Sequence, residues 1–450
     1  MSPSVACVDL GSTFTKAALV ELGSGRLLAT AEHPTTVATD VLEGWHACRD
    51  ALAAVDPSAR DAPVLACSSA GGGLRIAVVG NEELVTAEAG RRVALSSGGH
   101  VVGVLSGGLA DAAALDRLRA TAPDVVLVVG GTDGGEEETV PVAARTLAEA
   151  GWSAPVVVAG NREVGDVARA ALAEAGVPHL LAANVVPRIG VLAPEPARAA
   201  VRQVFVAHVI GGKGLSAGPD LAAMVRGATP DVVLAGVELL ARGVPAEGLA
   251  GVGDVVVVDV GGATTDVHAC VEPDPGLHPV VGATASGRTV EGDLGMRWSA
   301  VTTVGQDPGA GPDLRAAAER RRADPGLVPT EPAETAYDER LAVLAAGTAL
   351  RRHAGRSEVV YDGGGRVVVS TGRDLRTVDL VIGSGGVLRH AAPAVAERVL
   401  RAAWDADPGW QLPQDPRVLV DADYVLAAAG LLATDHPGTA YRLLRGHLDA

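Results

Sequence analysis

The sequence is poor in several residue types at once, and each shortage excludes something. Cys7, Cys48, Cys67 and Cys270 are the four cysteines in 450 residues, and no two stand in C-x-x-C spacing. Neither a zinc site nor a disulfide framework is therefore expected. Aromatic residues make up 2% of the chain, so the interior must be built from Ala, Val and Leu rather than from large rings. Lysine occurs twice, as Lys16 and Lys213. Basic residues of both kinds number 37 against 54 acidic ones, which gives a net charge of −17. That balance argues against broad affinity for nucleic acid or anionic membrane. No apolar run reaches the ~18 residues of a transmembrane helix. The first residues enter a strand-like run at once, without the basic and apolar regions of a secretory signal. A reduced, cytoplasmic protein is the resulting expectation, with neither nucleic acid nor membrane as partner.

Glycine, by contrast, is abundant. Its 57 occurrences are nearly twice the usual ~7%. They show no collagen period, so they read as tight turns between strands and helices. The length exceeds what one core supports, and two or three domains are expected. Short Val-rich runs alternate with Ala/Leu/Arg/Glu runs, the pattern of an α/β protein. Residues 5–10 and 15–20 read as two strands around a glycine turn, and 41–55 as a helix. From 82 to 183 the rhythm is regular: strands at 101–105, 125–129, 155–159 and 179–181 alternate with helices at 82–97, 110–120, 136–150 and 163–175. Such consecutive units form a parallel layer. Residues 187–251 read as mainly helical. Strands at 255–260 and 266–271 make a second strand–turn–strand. The Pro-rich stretches 272–279 and 308–334 read as surface loops, the latter split by the basic run 315–322.

One repeat is long-range. Asp9-Leu-Gly-Ser-Thr-Phe-Thr-Lys16 follows one apolar strand, and Asp259-Val-Gly-Gly-Ala-Thr-Thr-Asp266 follows another 250 positions later. Aligned on the aspartates, Gly11 matches Gly261 and Thr15 matches Thr265. The chemistry suits a bound polyphosphate. Glycines at Gly11, Gly261 and Gly262 let backbone N–H groups approach phosphate oxygens. The hydroxyls of Ser12, Thr13, Thr264 and Thr265 add donors. Asp9 and Asp259 are placed to hold Mg²⁺ through its waters, and Lys16 to bring a point charge to the terminal phosphate. Two ordinary hairpin turns, for which D-x-G is common, are the plainer reading. A third element, Val381-Ile-Gly-Ser-Gly-Gly-Val-Leu-Arg-His390, is a strand, a glycine loop and a helix. Gly383, Ser384, Gly385 and Gly386 can lie flat beneath a nucleoside, although close strand–helix packing produces the same pattern.

Three further candidates stand apart. Glu291 and Asp293 are two positions apart; on a strand they would share a face and could position an attacking water or a metal, while in a loop they would be a solvated pair. Asp133, in the glycine-rich turn 130–135, sits where a parallel sheet opens a ligand crevice, or serves as an N-cap. Lys213, in Gly211-Gly-Lys-Gly214, lacks the first glycine spacing and the hydroxyl of a P-loop and reads as a helix-terminus loop. The histidines form no metal-ligand cluster, and there is no G-x-S-x-G elbow.

The order of the Asp9 loop, the Asp259 loop and the 383–386 loop resembles the actin, sugar-kinase and heat-shock ATPase superfamily, whose two phosphate loops and adenosine loop come in that order. The helix at 424–432 is similar to its second connecting helix. A closer resemblance spans nearly the whole chain. Cys67-Ser-Ser-Ala-Gly-Gly-Gly-Leu-Arg-Ile-Ala-Val78, Val129-Gly-Gly-Thr-Asp-Gly-Gly135, Ala159-Gly-Asn-Arg162, Asn184-Val-Val-Pro187, Glu195-Pro-Ala-Arg198 and Thr289-Val-Glu-Gly-Asp-Leu-Gly-Met-Arg297 look like the accessory L protein of glutamate (methylaspartate) mutase. That family is unrelated to the DNA mismatch-repair protein of similar name.

The resemblance implies an α/β fold: a two-lobed actin-like (ribonuclease H-like) ATPase core with an inserted parallel, Rossmann-like region. The division implied is 1–99 and 251–450 for the lobes and 100–250 for the insert. It implies ATP and Mg²⁺ as cofactors. Asp9 and Asp259 would hold the metal, with Glu291 and Asp293 beside them as catalytic groups. Gly11, Ser12, Thr13, Lys16, Gly261, Gly262, Thr264, Thr265, Asp266, Gly383, Ser384, Gly385 and Gly386 would hold nucleotide. The implied partner is a cobalamin-dependent mutase, reactivated at the expense of ATP. Bound cobalamin is not expected, because the D-x-H-x-x-G pattern that supplies an axial histidine is absent. Phe14 departs from the pattern, since many members carry a smaller or basic residue there. Three other functions stay open: a small-molecule kinase on the same fold, an ATP-using subunit of a hydantoinase-like hydrolase, and a non-catalytic nucleotide-binding interaction protein.

Overall fold

The computed structural model describes residues 3–70, 74–81, 86–96, 99–210, 215–216, 220–272, 285–362, 365–404 and 409–448. The Lys213 loop and most of the Pro-rich stretch 272–279 lie outside them. Strands and helices alternate as expected, giving a mixed α/β chain with parallel sheets. The chain divides into two compact units that interleave along the sequence. One comprises Met1–Pro34, Trp45–Leu65 and Val232–Ala450; the other comprises Thr35–Gly44 and Ala66–Asp231. Among the described residues no helix is long and apolar enough to cross a membrane.

In the first unit, β1 (Ser4–Leu10) and β2 (Phe14–Glu21) form an antiparallel hairpin, and β2 pairs onward with β3 (Leu27–Pro34). Every residue of β1 is buried, as a continuous apolar run covered on both faces requires. The pattern recurs in β4 (Val255–Val260), β5 (Thr265–Cys270) and β6 (Ser286–Glu291), an antiparallel meander. Two strands then add in parallel: β7 (Leu380–Ser384) beside β4, and β8 (Arg417–Val420) beside β7. The resulting order is β6-β5-β4-β7-β8. One face carries Val256, Val258, Val260, Val267 and Val381 into a core shared with Leu341, Ala345 and Ala349 of a long helix.

The helices that bear on the site are α1 (Thr229–Arg242), α2 (Pro312–Ala323), α3 (Pro332–His353), α4 (Gly386–Arg389) and α5 (Val425–Leu432). Small residues let α1 and α5 touch backbone to backbone. A Cβ on Gly430 would lie 1.9 Å from the Val232 carbonyl oxygen, and one on Gly236 would lie 2.5 Å from that of Leu426.

The second unit holds a fully parallel sheet. Its spatial order is Gly99–Ser106, Leu74–Gly80, Val125–Val128, Val156–Val158, His179–Leu181. Val126, Val128, Leu147, Val156 and Leu172 are among its core residues.

Several expectations are corrected. The Pro-rich stretch 308–334 is largely helical rather than loop, because Pro312 and Pro332 occupy first turns, where the missing N–H is no loss. The basic run lies on α2, and its Arg321 is wholly buried. The helix expected from 136 starts at Thr139; Glu136 precedes it and accepts the N–H groups of Glu138 and Thr139 on its carboxylate. The region read as mainly helical contains the strand Val225–Ala228.

Candidate functional site

The two D-x-G turns have the same construction. The Gly11 N–H donates to the Phe14 carbonyl at 3.2 Å, and the Gly261 N–H to the Thr264 carbonyl at 2.9 Å. A Cβ at Gly11 would lie 2.5 Å from the Phe14 oxygen, and one at Gly261 would lie 2.8 Å from the Thr264 oxygen. No other residue fits either turn without displacing backbone. The following threonines, Thr15 and Thr265, are fully buried. Across each hairpin the acidic residue faces its partner in register, Asp9 opposite Lys16 and Asp259 opposite Asp266. Every matched position keeps the same offset, so the repeat is structural as well as sequential.

The loops also meet. The point where Gly262 would carry a Cβ is 3.6 Å from the Thr13 hydroxyl oxygen. The second loop is held from behind: Gly261 and Gly262 accept the N–H groups of Met296 and Arg297 at 2.9 and 2.8 Å. The Ser299 hydroxyl donates to Ala263 at 2.7 Å. The Arg297 guanidinium pairs with Asp338 at 3.1 Å. Asp338 is shared with Arg321 of α2, so the loop's support ends in a buried ion network.

Around these turns charge is concentrated. Asp9 is 4% exposed and accepts a hydrogen bond from the Tyr424 hydroxyl at 3.1 Å. The Lys16 ammonium stands 3.6 Å above the centroid of the Tyr424 ring, and the Arg389 guanidinium is 5.3 Å from it. Asp259 lies beside Ser384 in the β4–β7 register and accepts that hydroxyl. Burial pushes the Asp259 carboxyl up, Lys16 opposes the shift, and Asp9 adds to it. Burial, and then the Asp259 charge, push Asp266 up to about 7. Asp421 is pushed up by burial to about 6, although it accepts the N–H groups of Val425 and Leu426 at 2.7 and 3.1 Å. Gly385 has φ +91° and would set a Cβ 2.1 Å from the Val260 carbonyl oxygen. The glycine loop thus lies directly on the strand end that carries Asp259.

The structure therefore gathers Asp9, Thr13, Lys16, Asp259, Gly262, Asp266, Ser384 and Gly385 in one region of one unit. Ser12 and Gly386 are exposed at its edge. Glu291 and Asp293 differ from the strand-face expectation. Glu291 ends β6, whereas Asp293 sits in the turn beyond. Arg352 holds both, at 2.6 Å from Glu291 and 2.7 Å from Asp293. Three residues that belong here were not singled out from the sequence: Tyr424, Arg389 and Asp421. Their sequence signal is slight. Tyr424 is one of only four tyrosines and heads an apolar helix, and Arg389 ends the helix that follows the glycine loop.

The acidic residues fit a hard divalent cation. All donors are carboxylate oxygens, and Asp266 Oδ1 is buried without a hydrogen-bond partner. Burial first, and neighbouring carboxylates second, raise Asp259 and Asp266, a cost that a bound cation would offset. Among the described residues no three His, Cys, Asp or Glu side chains close on one point. Such carboxylates would suit a hard cation held partly through water, the manner of Mg²⁺.

In the second unit, three of the segments quoted above converge at the carboxyl ends of the parallel strands. The Asp133 carboxylate accepts the Arg162 N–H at 3.2 Å and the Asn184 amide at 2.9 Å. Asn161 accepts the Gly134 N–H at 3.2 Å and donates to Glu136 at 3.0 Å. Asp133 here ties loops together.

Comparison with known proteins agrees with the motifs. The family described as MutL protein matches residues 5–448. Protein MutL of Clostridium tetanomorphum is 36% identical over 461 residues, covering 98% of both chains. Among solved structures, a nucleotide-free acetone carboxylase has a TM-score of 0.41 at 16% identity, over 97% of this chain and 71% of that one. The ethanolamine utilization protein EutJ from Carboxydothermus hydrogenoformans has a TM-score of 0.29 at 12% identity, over 98% and 90%. With its length matched almost end to end by one family and a relative above a third identical, the chain belongs to the MutL protein family, the glutamate mutase L type that its motifs resemble.

Proposed function

We propose that this protein binds ATP with Mg²⁺ between its two hairpin loops and uses it as an accessory, reactivating protein for an adenosylcobalamin-dependent mutase. Glutamate (methylaspartate) mutase and an ornithine-degradation aminomutase are the candidate partners. The observation that carries the nucleotide reading is the repeated turn, Gly11 and Gly261 in the same geometry, with Thr13 facing Gly262. In this reading the loop N–H groups and hydroxyls of Gly11, Ser12, Thr13, Gly261, Gly262, Thr264 and Thr265 hold phosphate oxygens. Asp9 and Asp259, with Asp266 beside them, hold the waters of the metal, whose charge offsets that of the phosphates. Lys16 reaches the terminal phosphate, and the 383–386 loop carries the adenosine. Glu291 and Asp293 stay a proposal as groups that orient water, with Arg352 as the cation they would share. Family membership supports the accessory role, and the release of damaged cobalamin is the proposed task.

Titration of ATP with Mg²⁺ into the wild type, Asp9→Ala and Asp259→Ala tests the core of this. Loss of affinity in both variants is expected, and unchanged affinity in both overturns it. ATP turnover that rises with a mutase subunit supports the reactivating role. Turnover that rises instead with a small metabolite would make the protein a kinase.

A further inference from the structure

Segment 421–424 touches the first hairpin at Asp9 and Lys16, the strand end at Gly383 and the helix after the glycine loop at Arg389, and the nucleotide reading alone assigns those contacts no role. Tyr424 holds its backbone at φ +57°, ψ +41°, a left-handed conformation that bulky residues rarely adopt. It is one of only two non-glycine residues with positive φ among those described. Its side chain is anchored by contacts at both its hydroxyl and its ring. The hydroxyl donates to Asp9 Oδ2 at 3.1 Å. The Lys16 ammonium is 3.6 Å and the Arg389 guanidinium 5.3 Å from the ring centroid. Arg389 belongs to α4, next to the glycine loop, and its Nε–H donates to the Ala422 carbonyl at 3.0 Å. Asp421 accepts the first two N–H groups of α5. Close backbone contact at Gly430 and Gly236 couples α5 to α1.

We propose that Tyr424 is a positioning residue that competes with nucleotide and metal for Asp9 and Lys16, and that passes the outcome to helices α5 and α1. The inference rests on the nucleotide reading above. A metal water that donates to Asp9 draws on the same carboxylate that the tyrosine hydroxyl holds through Oδ2, and each donor weakens the other. An ammonium drawn to a phosphate must leave the ring face, since a cation–π contact extends only about 6 Å from the centroid. Released from both, Tyr424 loses two of the contacts that anchor its side chain while its backbone is left-handed. The residue that relaxes is the one from which α5 begins. Because α1 and α5 touch through backbone, α5 cannot shift at its first turn without α1 adjusting. ATP occupancy thereby acquires an outlet away from the phosphates, as a nucleotide-driven accessory protein needs. Tyr424 performs no chemical step.

The experiment uses the full chain and ATP itself, titrated with Mg²⁺ or with EDTA into the wild type, Tyr424→Phe and Tyr424→Asn. Phenylalanine keeps the ring and removes only the hydroxyl. Affinity with Mg²⁺ is expected to tighten about tenfold, the scale of a hydrogen bond to a charged group, while affinity in EDTA stays at the wild-type value. Asparagine suits the left-handed backbone and removes the ring, so it should tighten binding in both conditions by freeing Lys16 as well. A tyrosine that merely stabilises the fold would move both conditions in the same direction, downward. Wild-type binding with Tyr424→Phe equal or weaker in Mg²⁺ overturns the inference and leaves the nucleotide reading standing. Absence of ATP binding by the wild type overturns both. If Tyr424→Asn does not fold, Tyr424→Phe alone decides.

Discussion

Single residues in this chain act by what they lose on leaving water. His268 and His353 are buried beside β5 and β6 with Arg288, which lies opposite His268 in register. Burial, helped by the nearby Arg373 charge, pulls His353 down to about 3, so it is neutral in the folded chain at every ordinary pH. An unfolded histidine takes up a proton near 6.5. Below that value the unfolded state binds a proton that the folded state refuses, and stability falls as pH falls. His353→Gln removes this dependence. Compared with the wild type, its melting temperature should gain steadily as pH drops from 6.5 to 4. The underlying difference should approach a slope of about 1.4 kcal/mol per pH unit, and thermal melts across that range check it. A gap that stays constant with pH would show that His353 does not titrate differently in the two states. Nothing in the sequence marks this histidine, since its neutrality depends on β6 and on Arg373 arriving beside it.

At the scale of elements, legibility followed how local the cause is. The two D-x-G hairpins could be read directly, because a turn's chemistry is contained in four or five residues and their flanking apolar strands. The glycine loop at 383–386 could be read for the same reason. The strand Leu27–Pro34 could not, because its half-exposed pattern offers neither a continuous apolar run nor a clean alternation. Arg321 was hidden within a run of basic residues that reads as a solvated face. Its counter-charges, Asp338 and Glu334, lie one helix further on, and only the pairing of α2 with α3 turns a charged run into an interior. Tyr424 was the hardest to see. The hydrogen bond that places it in the site spans 415 residues, and no local pattern encodes such a meeting. The helix at 424–432 was legible through its resemblance to a connecting helix, and the structure supplies its close partner, α1. Gly430→Ala would force a methyl group to within 1.9 Å of a carbonyl oxygen. It should cost about 1–3 kcal/mol, the usual range for overpacking, measurable as a lower denaturant midpoint. A neutral result would mean that the two helices separate easily.

For the whole molecule, a charge of −17 sets a problem that only local chemistry can solve. On the proposed reading, a net anion would take a polyphosphate with backbone N–H groups, two cations and a metal, against its own long-range field. Binding should therefore depend on the metal throughout the protein. ATP and Mg²⁺ together should raise the unfolding temperature, with about 2.7 kcal/mol gained when ligand exceeds its Kd a hundredfold. Either one alone should do much less, as differential scanning calorimetry can establish. Equal shifts with and without Mg²⁺ would remove the metal from the account. The repeated hairpin has one more consequence. The two copies agree at the acid, at the glycine and at the buried threonine, and they differ in sign at a single register position, lysine in one and aspartate in the other. A pair of identical turns would offer a chain of phosphates the same welcome from either direction. On the proposed reading that exchanged charge removes the ambiguity: a ligand between the turns would meet a cation at one strand and a carboxylate at the other, and so acquire a head and a tail.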